Sequence, residues 1–193
     1  MSVLKEKNRG LRSMNGNLRA LEGEGNERKF LLSFSSEEPY ERWFGVEILS
    51  HKAGAVDLSR LNEIGVALFN HNRNKVIGKI LRAWVENERG NAEIEFDNDE
   101  FAEMIRQKVD GGTLKSTSVG YVVMAWEEVK AGAMSSDGKH KGPCSIATSW
   151  MPTEISIVSV PADATVGVGR EWEAADHTAL WVKQIEINKN YLL

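Results

Sequence analysis

The segment VIGKILRAWVENERGNAEIEF, residues 76–96, reads as two consecutive strands joined by a polar turn. In its second half Ala92, Ile94 and Phe96 alternate with polar side chains, which is the period of a half-buried strand. Five further segments have the length and pattern of strands: KFLLSFS (29–35), WFGVEIL (43–49), IGVALFN (64–70), SVGYVVMAW (118–126) and EISIVSV (154–160). Strands of this number with short connections predict an antiparallel β-barrel of about seven strands.

Two helices are predicted to flank the barrel, which makes the fold mainly β within the α+β class. The longer helix is expected to begin at Asp97 or Asn98, whose side chains can cap it. It is expected to end at Gly111 and Gly112, because glycine adopts the left-handed conformation without steric cost. A shorter helix is predicted over DLSRLNEI, residues 57–64.

The chain is expected to form one folded domain over residues 29–169. Within it, residues 130–149 are small and polar with Gly and Pro breakers, which predicts a flexible loop insertion. Residues 1–28 are polar and lack a steady hydrophobic period, so we expect a poorly ordered segment there. Residues 170–193 are expected to form a weak amphipathic helix followed by a polar tail.

The composition argues against several classes of protein. The net charge of -4 over 193 residues does not suggest a nucleic-acid-binding protein. The single cysteine, Cys144, excludes an internal disulfide and a zinc-binding cysteine cluster. The sequence has neither the apolar core of a signal peptide nor a run of about 18 apolar residues, so we expect an intracellular protein without a membrane span. No metal and no cofactor is expected.

His71 is the candidate general base among the four histidines. It follows the apolar run VALF, where a buried strand emerges at the rim of the sheet and a histidine can be held firmly while facing solvent. On this feature alone, a structural histidine is an open alternative. His140 and His177 lie in polar segments and are interpreted as surface residues, and His51 follows a strand end beside Lys52.

A candidate nucleophile and a candidate acid stand at the start of two later strands. Ser118 precedes Gly120, whose missing side chain allows a substrate backbone to approach closely, with main-chain N–H groups nearby to stabilise an oxyanion. Ser116 and Thr117 are close enough that residue chemistry does not decide among the three hydroxyls. Glu154 is a lone carboxylate entering an apolar run, so it is either a surface residue or the acid that orients a histidine.

Three segments in fixed order carry a resemblance to a known family. They are LFNHNRNKVIGKI (68–80), LKSTSVGYVV (114–123) and EISIVSVPADATV (154–166). Together they resemble the prohead (procapsid) maturation serine proteases of tailed bacteriophages and prophages, over roughly residues 28–168. Asn72 stands where many relatives have Asp, at a position outside the proposed triad.

The resemblance implies a fold similar to that of the herpesvirus assembly proteases, with residues 29–169 as the protease domain. It also implies a catalytic triad in which His71 is the base, Ser118 is the nucleophile and Glu154 takes the third place. The triad is recognised by geometry and not by chain order, so the sequence order of these residues is no obstacle.

The resemblance implies a role in head assembly as well. Such proteases are packaged inside the procapsid in the host cytoplasm, cleave the scaffold or the delta segment of the capsid protein, and cut themselves. The expected partners are therefore the major capsid protein, the scaffold protein and the chain itself, with homo-oligomerisation an open alternative and neither membrane nor direct nucleic-acid binding expected. The main alternative is an inactive structural or scaffold protein with the same fold. A small β-barrel binding module would explain the strands but leave the three motifs as coincidence.

Overall fold

The computed structural model describes residues 7–160. Its strands are β1 (Arg9–Asn15), β2 (Arg19–Ala20), β3 (Lys29–Ser36), β4 (Tyr40–Arg42), β5 (Gly45–Leu49), β6 (Val66–Phe69), β7 (Asn72–Glu86), β8 (Arg89–Phe96), β9 (Ser116–Val129) and β10 (Cys144–Val158). Its helices are α1 (Ser59–Ile64) and α2 (Glu100–Asp110). Neither is long and apolar enough to span a membrane, within the part of the chain that the structure describes.

The strands form one mixed sheet that curls but stays open. Eight of them follow the order β1-β9-β10-β6-β7-β8-β3-β2, and β5, with β4 beside it, pairs with β10. Strand β10 runs parallel to both β5 and β6 and antiparallel to β9. The mainly β class with flanking helices is thus confirmed, whereas the predicted antiparallel barrel of seven strands is not, because the sheet described over residues 7–160 is mixed and open, with ten strands.

The parallel pairs follow from the length of β10. One side of this 15-residue strand pairs with β9, and its other side is shared by β5 near Ile146 and by β6 near Ser156. The chain runs along one side of β10 in a single direction, from β5 through the bridge of Val56 with Trp150 and α1 to β6, so both pairings are parallel without a crossover between them. The hydrophobic pattern of a short strand reports which side chains are buried but not the direction of its neighbour, so the pattern did not reveal these pairs.

The core lies inside the curl of the sheet and under α2. Helix α2 contributes three buried residues, Ala102, Ile105 and Val109. The side chain of Asp99 caps the helix by accepting from the backbone N–H groups of Phe101 and Ala102, so the cap falls one or two residues later than predicted.

The N-terminal segment differs from the prediction of a poorly ordered stretch over residues 1–28. Residues Arg9–Asn15 form β1, which pairs with β9 and places Ser13 opposite Ser118. The buried residues of β1 are Arg12 and Ser13, so its sequence lacks the apolar alternation that would have predicted a strand. Its pairing with β9 is what holds it in the extended conformation.

Two other predicted boundaries concern the loop and the C-terminal end. The predicted loop over 130–149 is shorter, because β9 reaches Val129 and β10 already begins at Cys144. The end of the predicted domain at residue 169 and the helix expected over 170–193 lie outside the described residues.

Candidate active site

A two-residue hairpin turn presents His71 at the edge of the sheet. Asn70 and His71 connect β6 to β7 with φ of 52° and 56°, the left-handed conformation that a tight hairpin turn needs at both central positions. For residues with a Cβ this conformation costs about 1–2 kcal/mol each. The turn is tied to the end of β10, since the Asn70 side chain bonds Ser159 and the His71 N–H donates to Ser156 Oγ at 3.1 Å.

The imidazole of His71 bridges a serine and a glutamate. Its Nε2 lies 2.8 Å from Ser118 Oγ, and its Nδ1 lies 2.6 Å from Glu154 Oε1. A carboxylate accepts hydrogen bonds only, so the proton of the neutral ring belongs on Nδ1 and Nε2 is left to accept from the Ser118 hydroxyl. The three residues predicted from the sequence therefore lie in one hydrogen-bonded chain, in the order in which a general base would draw a proton from serine.

The pairing of β9 with β10 sets two of these side chains side by side. Gly120 is opposite Glu154 and Ser118 is opposite Ser156, which places all four on one face of the sheet. A Cβ on Gly120 would lie 2.5 Å from Glu154 Oε1. Gly120 thus makes room for the carboxylate, a role that the sequence-based interpretation, centred on the substrate backbone, did not include.

Ser156 is a fourth polar residue that the sequence reasoning missed. It is fully buried, its Oγ donates to Glu154 Oε2 at 2.8 Å, and the same Oγ accepts from the His71 N–H. Both carboxylate oxygens of Glu154 are therefore engaged, one by the imidazole and one by Ser156. The only sequence signal was a serine at alternate spacing from Glu154 in the strand EIS.

The two neighbouring hydroxyl residues, Thr117 and Ser116, stand elsewhere in the ladder. Thr117 is fully buried and its Oγ1 donates to the carbonyl of Ser33, on the face of β9 opposite to that of Ser118. Ser116 pairs with Val158 at the start of the ladder. Of the three hydroxyls that the sequence left open, Ser118 is the one within hydrogen-bonding distance of His71.

A second serine–histidine pair shows what the candidate site has and this pair lacks. His51 Nε2 lies 2.7 Å from Ser35 Oγ, but its Nδ1 donates to the carbonyl of Leu49 at 2.9 Å and not to a carboxylate. Burial lowers the pKa of His51 to about 4, so this imidazole is neutral and enclosed near pH 7. His140 lies half-buried in the β9–β10 loop, and His177 lies outside the described residues.

A cleft opens beside the His71–Glu154 pair. It measures about 540 Å³, and its walls come from the start of β1, from α1, from the β6–β7 hairpin and from the facing parts of β9 and β10. Its lining includes Arg9, Arg60 and Arg73. His71 and Glu154 therefore border a surface that carries positive charge.

A hydroxyl, an imidazole and a carboxylate linked in this way form the arrangement on which serine hydrolases rely. Residues 34–179, well over half of the chain, match the family model described as caudovirus prohead serine protease. The chain belongs to this family, as the three motifs indicated, and the family is one of serine proteases that act in phage procapsids.

One relative carries the name of a structural protein. The chain is 36% identical over 151 residues to the major capsid protein of Halomonas phage phiHAP-1. The match covers 76% of this chain and 24% of the relative, so the chain spans about a quarter of that protein's length. No solved structure matches the chain.

Proposed function

We propose that this chain is a serine endopeptidase in which Ser118 is the nucleophile, His71 the general base and Glu154 the residue that orients the imidazole. The observation that carries the proposal is the hydrogen-bonded chain from Ser118 Oγ through both ring nitrogens of His71 to Glu154. Membership of a family of prohead serine proteases supports it.

The proposed reaction follows from this geometry. His71 Nε2 takes the Ser118 proton as Oγ attacks the scissile carbonyl carbon, and Glu154 stabilises the imidazolium that results. The tetrahedral intermediate then expels the amine, which leaves with the proton from Nε2. Water repeats the same steps on the acyl-enzyme, restoring Ser118 and releasing the acid.

The nucleophile is enclosed in this conformation. Ser118 has 0% of its surface exposed, whereas the side chains of His71 and Glu154 are 23% and 18% exposed. A substrate therefore gains access to Oγ only when a neighbouring group moves. This supports a peptidase that is slow toward arbitrary proteins and depends on a high local concentration of its substrate.

The substrates we propose are the coat or scaffold polypeptide of the procapsid and the chain itself. The prohead family supports this assignment, as does the similarity to a protein named major capsid protein. We place the activity in the procapsid interior, because confinement keeps the enzyme from destroying coat subunits before they assemble. The same relative's name is the observation that favours the second candidate, a structural head-assembly protein without activity.

An active-site serine probe separates the two candidates. A fluorophosphonate should label the wild-type chain at one serine, and peptide mapping should place the label on Ser118. Ser116→Ala, the matched control two residues away, should label as the wild type does, whereas Ser118→Ala should not. Absence of label on the folded wild-type chain would favour the structural protein.

A further inference from the structure

Three arginines from three separate elements converge on the cleft beside the candidate catalytic residues. Arg9 comes from β1, Arg60 from α1 and Arg73 from the start of β7. Arg60 Nε donates to the carbonyl of Thr153 at 3.3 Å, which holds that guanidinium against the cleft wall.

The charge of these arginines is not balanced locally. Within residues 7–160, none of the three forms an ion pair, whereas Arg28, Arg42 and Arg106 elsewhere each pair with a glutamate: Glu103, Glu47 and Glu103 respectively. Among the described residues that line the cleft, Glu154 is the one acidic residue, and both of its carboxylate oxygens already bond His71 and Ser156. The cleft therefore offers several N–H donors and positive charge to a group that enters it.

We infer that this cleft is a substrate subsite for an acidic side chain, aspartate or glutamate, close to the scissile bond. The inference rests on the proposed peptidase function and names its substrate class. A guanidinium binds a carboxylate through two parallel hydrogen bonds, which gives both attraction and orientation.

The position of the cleft limits where the acidic residue stands in the substrate. His71, which contacts Ser118, itself lines the cleft, so the cleft begins at the candidate general base, one hydrogen bond away from the nucleophile. A cleft of about 540 Å³ is on the order of 10 Å across, and an extended peptide advances about 3.3 Å per residue, so we expect the acidic side chain within about three residues of the bond that is cut.

The test is a cleavage profile followed by matched peptides. The wild-type protein at high concentration is incubated with a tryptic digest of a bacterial proteome, and the new termini are sequenced by mass spectrometry, with Ser118→Ala as the blank. Aspartate and glutamate should be enriched within three residues of the cuts. A synthetic peptide taken from the best site should then exceed its Glu→Gln counterpart about 5-fold in kcat/KM, the scale of one or two exposed ion pairs.

Variants assign this preference to the cleft. Arg9→Gln, Arg60→Gln and Arg73→Gln should each reduce the preference for glutamate over glutamine, and the triple variant should bring the ratio close to 1. Arg82→Gln, which removes an exposed arginine that stacks on Trp84 outside the cleft, should keep the wild-type ratio. Raising the salt concentration from about 0.1 M to about 1 M should also reduce the ratio, because the Debye length falls from about 10 Å to about 3 Å.

The outcomes distinguish failure of the proposed subsite from failure of the proposed peptidase function. Cuts without enrichment of acidic residues, or a glutamate preference that persists in the triple variant, would overturn the subsite and leave the peptidase standing. No cuts beyond those of Ser118→Ala would overturn the proposed peptidase function itself, and the subsite with it.

Discussion

Within residues 7–160, two histidines face serine hydroxyls, and their surroundings give them different chemistry. His71 is partly exposed and has a carboxylate on Nδ1, so a positive charge on the ring would be stabilised. His51 is 5% exposed and has a carbonyl on Nδ1, so a positive charge there is opposed by burial. The same pair of residue types is thus suited to proton transfer in one place and to structure in the other.

At the scale of single residues, replacements in the candidate triad should act as one unit. We expect Ser118→Ala and His71→Ala each to lower the rate of peptide cleavage by about 10⁶-fold, and the double variant to be no worse than either. Glu154→Gln should be damaging but less so, about 10⁴-fold, because the acid orients the ring and does not take the proton. Circular dichroism checks the fold of each variant, and Ser116→Ala serves as the active control. An inactive Ser116→Ala with an active Ser118→Ala would assign the nucleophile to Ser116.

A second prediction for a single residue concerns Gly120, whose missing side chain leaves room for the Glu154 carboxylate. In Gly120→Ala the new Cβ would meet the Glu154 carboxylate at 2.5 Å, so the carboxylate must move away from His71. We expect cleavage to fall about 100-fold, because a misplacement of about 1 Å in a catalytic group has an effect of that size. Gly111→Ala, at the end of α2, is the matched control and should keep its activity. Wild-type rates in Gly120→Ala would show that the Glu154 contact does not matter for catalysis.

At the scale of elements, strand β10 organises the site. It carries Glu154 and Ser156, its pairing with β9 sets the position of Ser118, and its parallel pairing with β6 brings the His71 turn alongside. A register shift between Pro152 and Glu154 interrupts the β9–β10 ladder just before the carboxylate. Irregularities of this kind re-aim side chains next to functional sites.

His51 follows β5 and contacts Ser35 of β3, and its burial makes the stability of the fold depend on pH. Desolvation lowers the pKa of His51 in the folded state to about 4 from 6.5, so between these values the unfolded chain binds more protons. The stabilisation that a neutral His51 provides is therefore complete above pH 6.5. As the pH falls toward 4, this stabilisation is lost and the free energy of unfolding decreases by about 3 kcal/mol. Urea denaturation at pH 7.5 and pH 4.5 measures the loss.

His51→Asn is the control for this pH dependence, since its amide can still donate to the Leu49 carbonyl but does not titrate. We expect the variant to be less stable at neutral pH but to lose less on acidification than the wild type. Acidic groups with lowered pKa, such as Glu103 at about 2, titrate mainly below this window. Equal losses in both proteins would exclude His51 as the source.

At the scale of the whole molecule, self-cleavage requires that a segment of the chain reach the enclosed Ser118. Two acidic segments are the candidates. Residues 22–27 hold three glutamates, and residues 171–176 hold two glutamates and an aspartate. Residues 22–27 form an exposed turn between β2 and β3, the kind of segment in which proteolysis concentrates, and the arginine-lined cleft adds a preference for acidic sequence. These segments are therefore the places where we expect the chain to cut itself.

Co-expression tests this expectation together with the substrate. With the coat or scaffold protein of the same phage or prophage, we expect the partner to be processed and the termini of this chain to be trimmed near the acidic segments. Mass spectrometry of assembled particles reports both events, and with Ser118→Ala both polypeptides should stay full length. Casein in dilute solution should be cleaved poorly by the same wild-type protein. Both proteins uncut in expanded capsids would favour the structural alternative.

Much of this molecule is fixed by local sequence. The alternation in residues 91–96 predicted β8, the cap near Asp97 and the glycines at 111 and 112 predicted α2, and the ordered motifs around His71, Ser118 and Glu154 predicted the family. These features depend on residues close in sequence, so a pattern of burial or a short motif is enough to identify them. That the three residues catalyse proteolysis is still a prediction.

Only the tertiary structure decided the pairings across the chain. The parallel neighbours of β10, the order of β1, the choice of Ser118 over Ser116 and the contacts of Gly120 and Ser156 all join residues far apart in sequence. A strand's own pattern states which face is buried, but the identity, direction and register of its neighbour are set by how the whole sheet packs. The site depends on that register, because a shift of one residue would turn Ser118 to the opposite face.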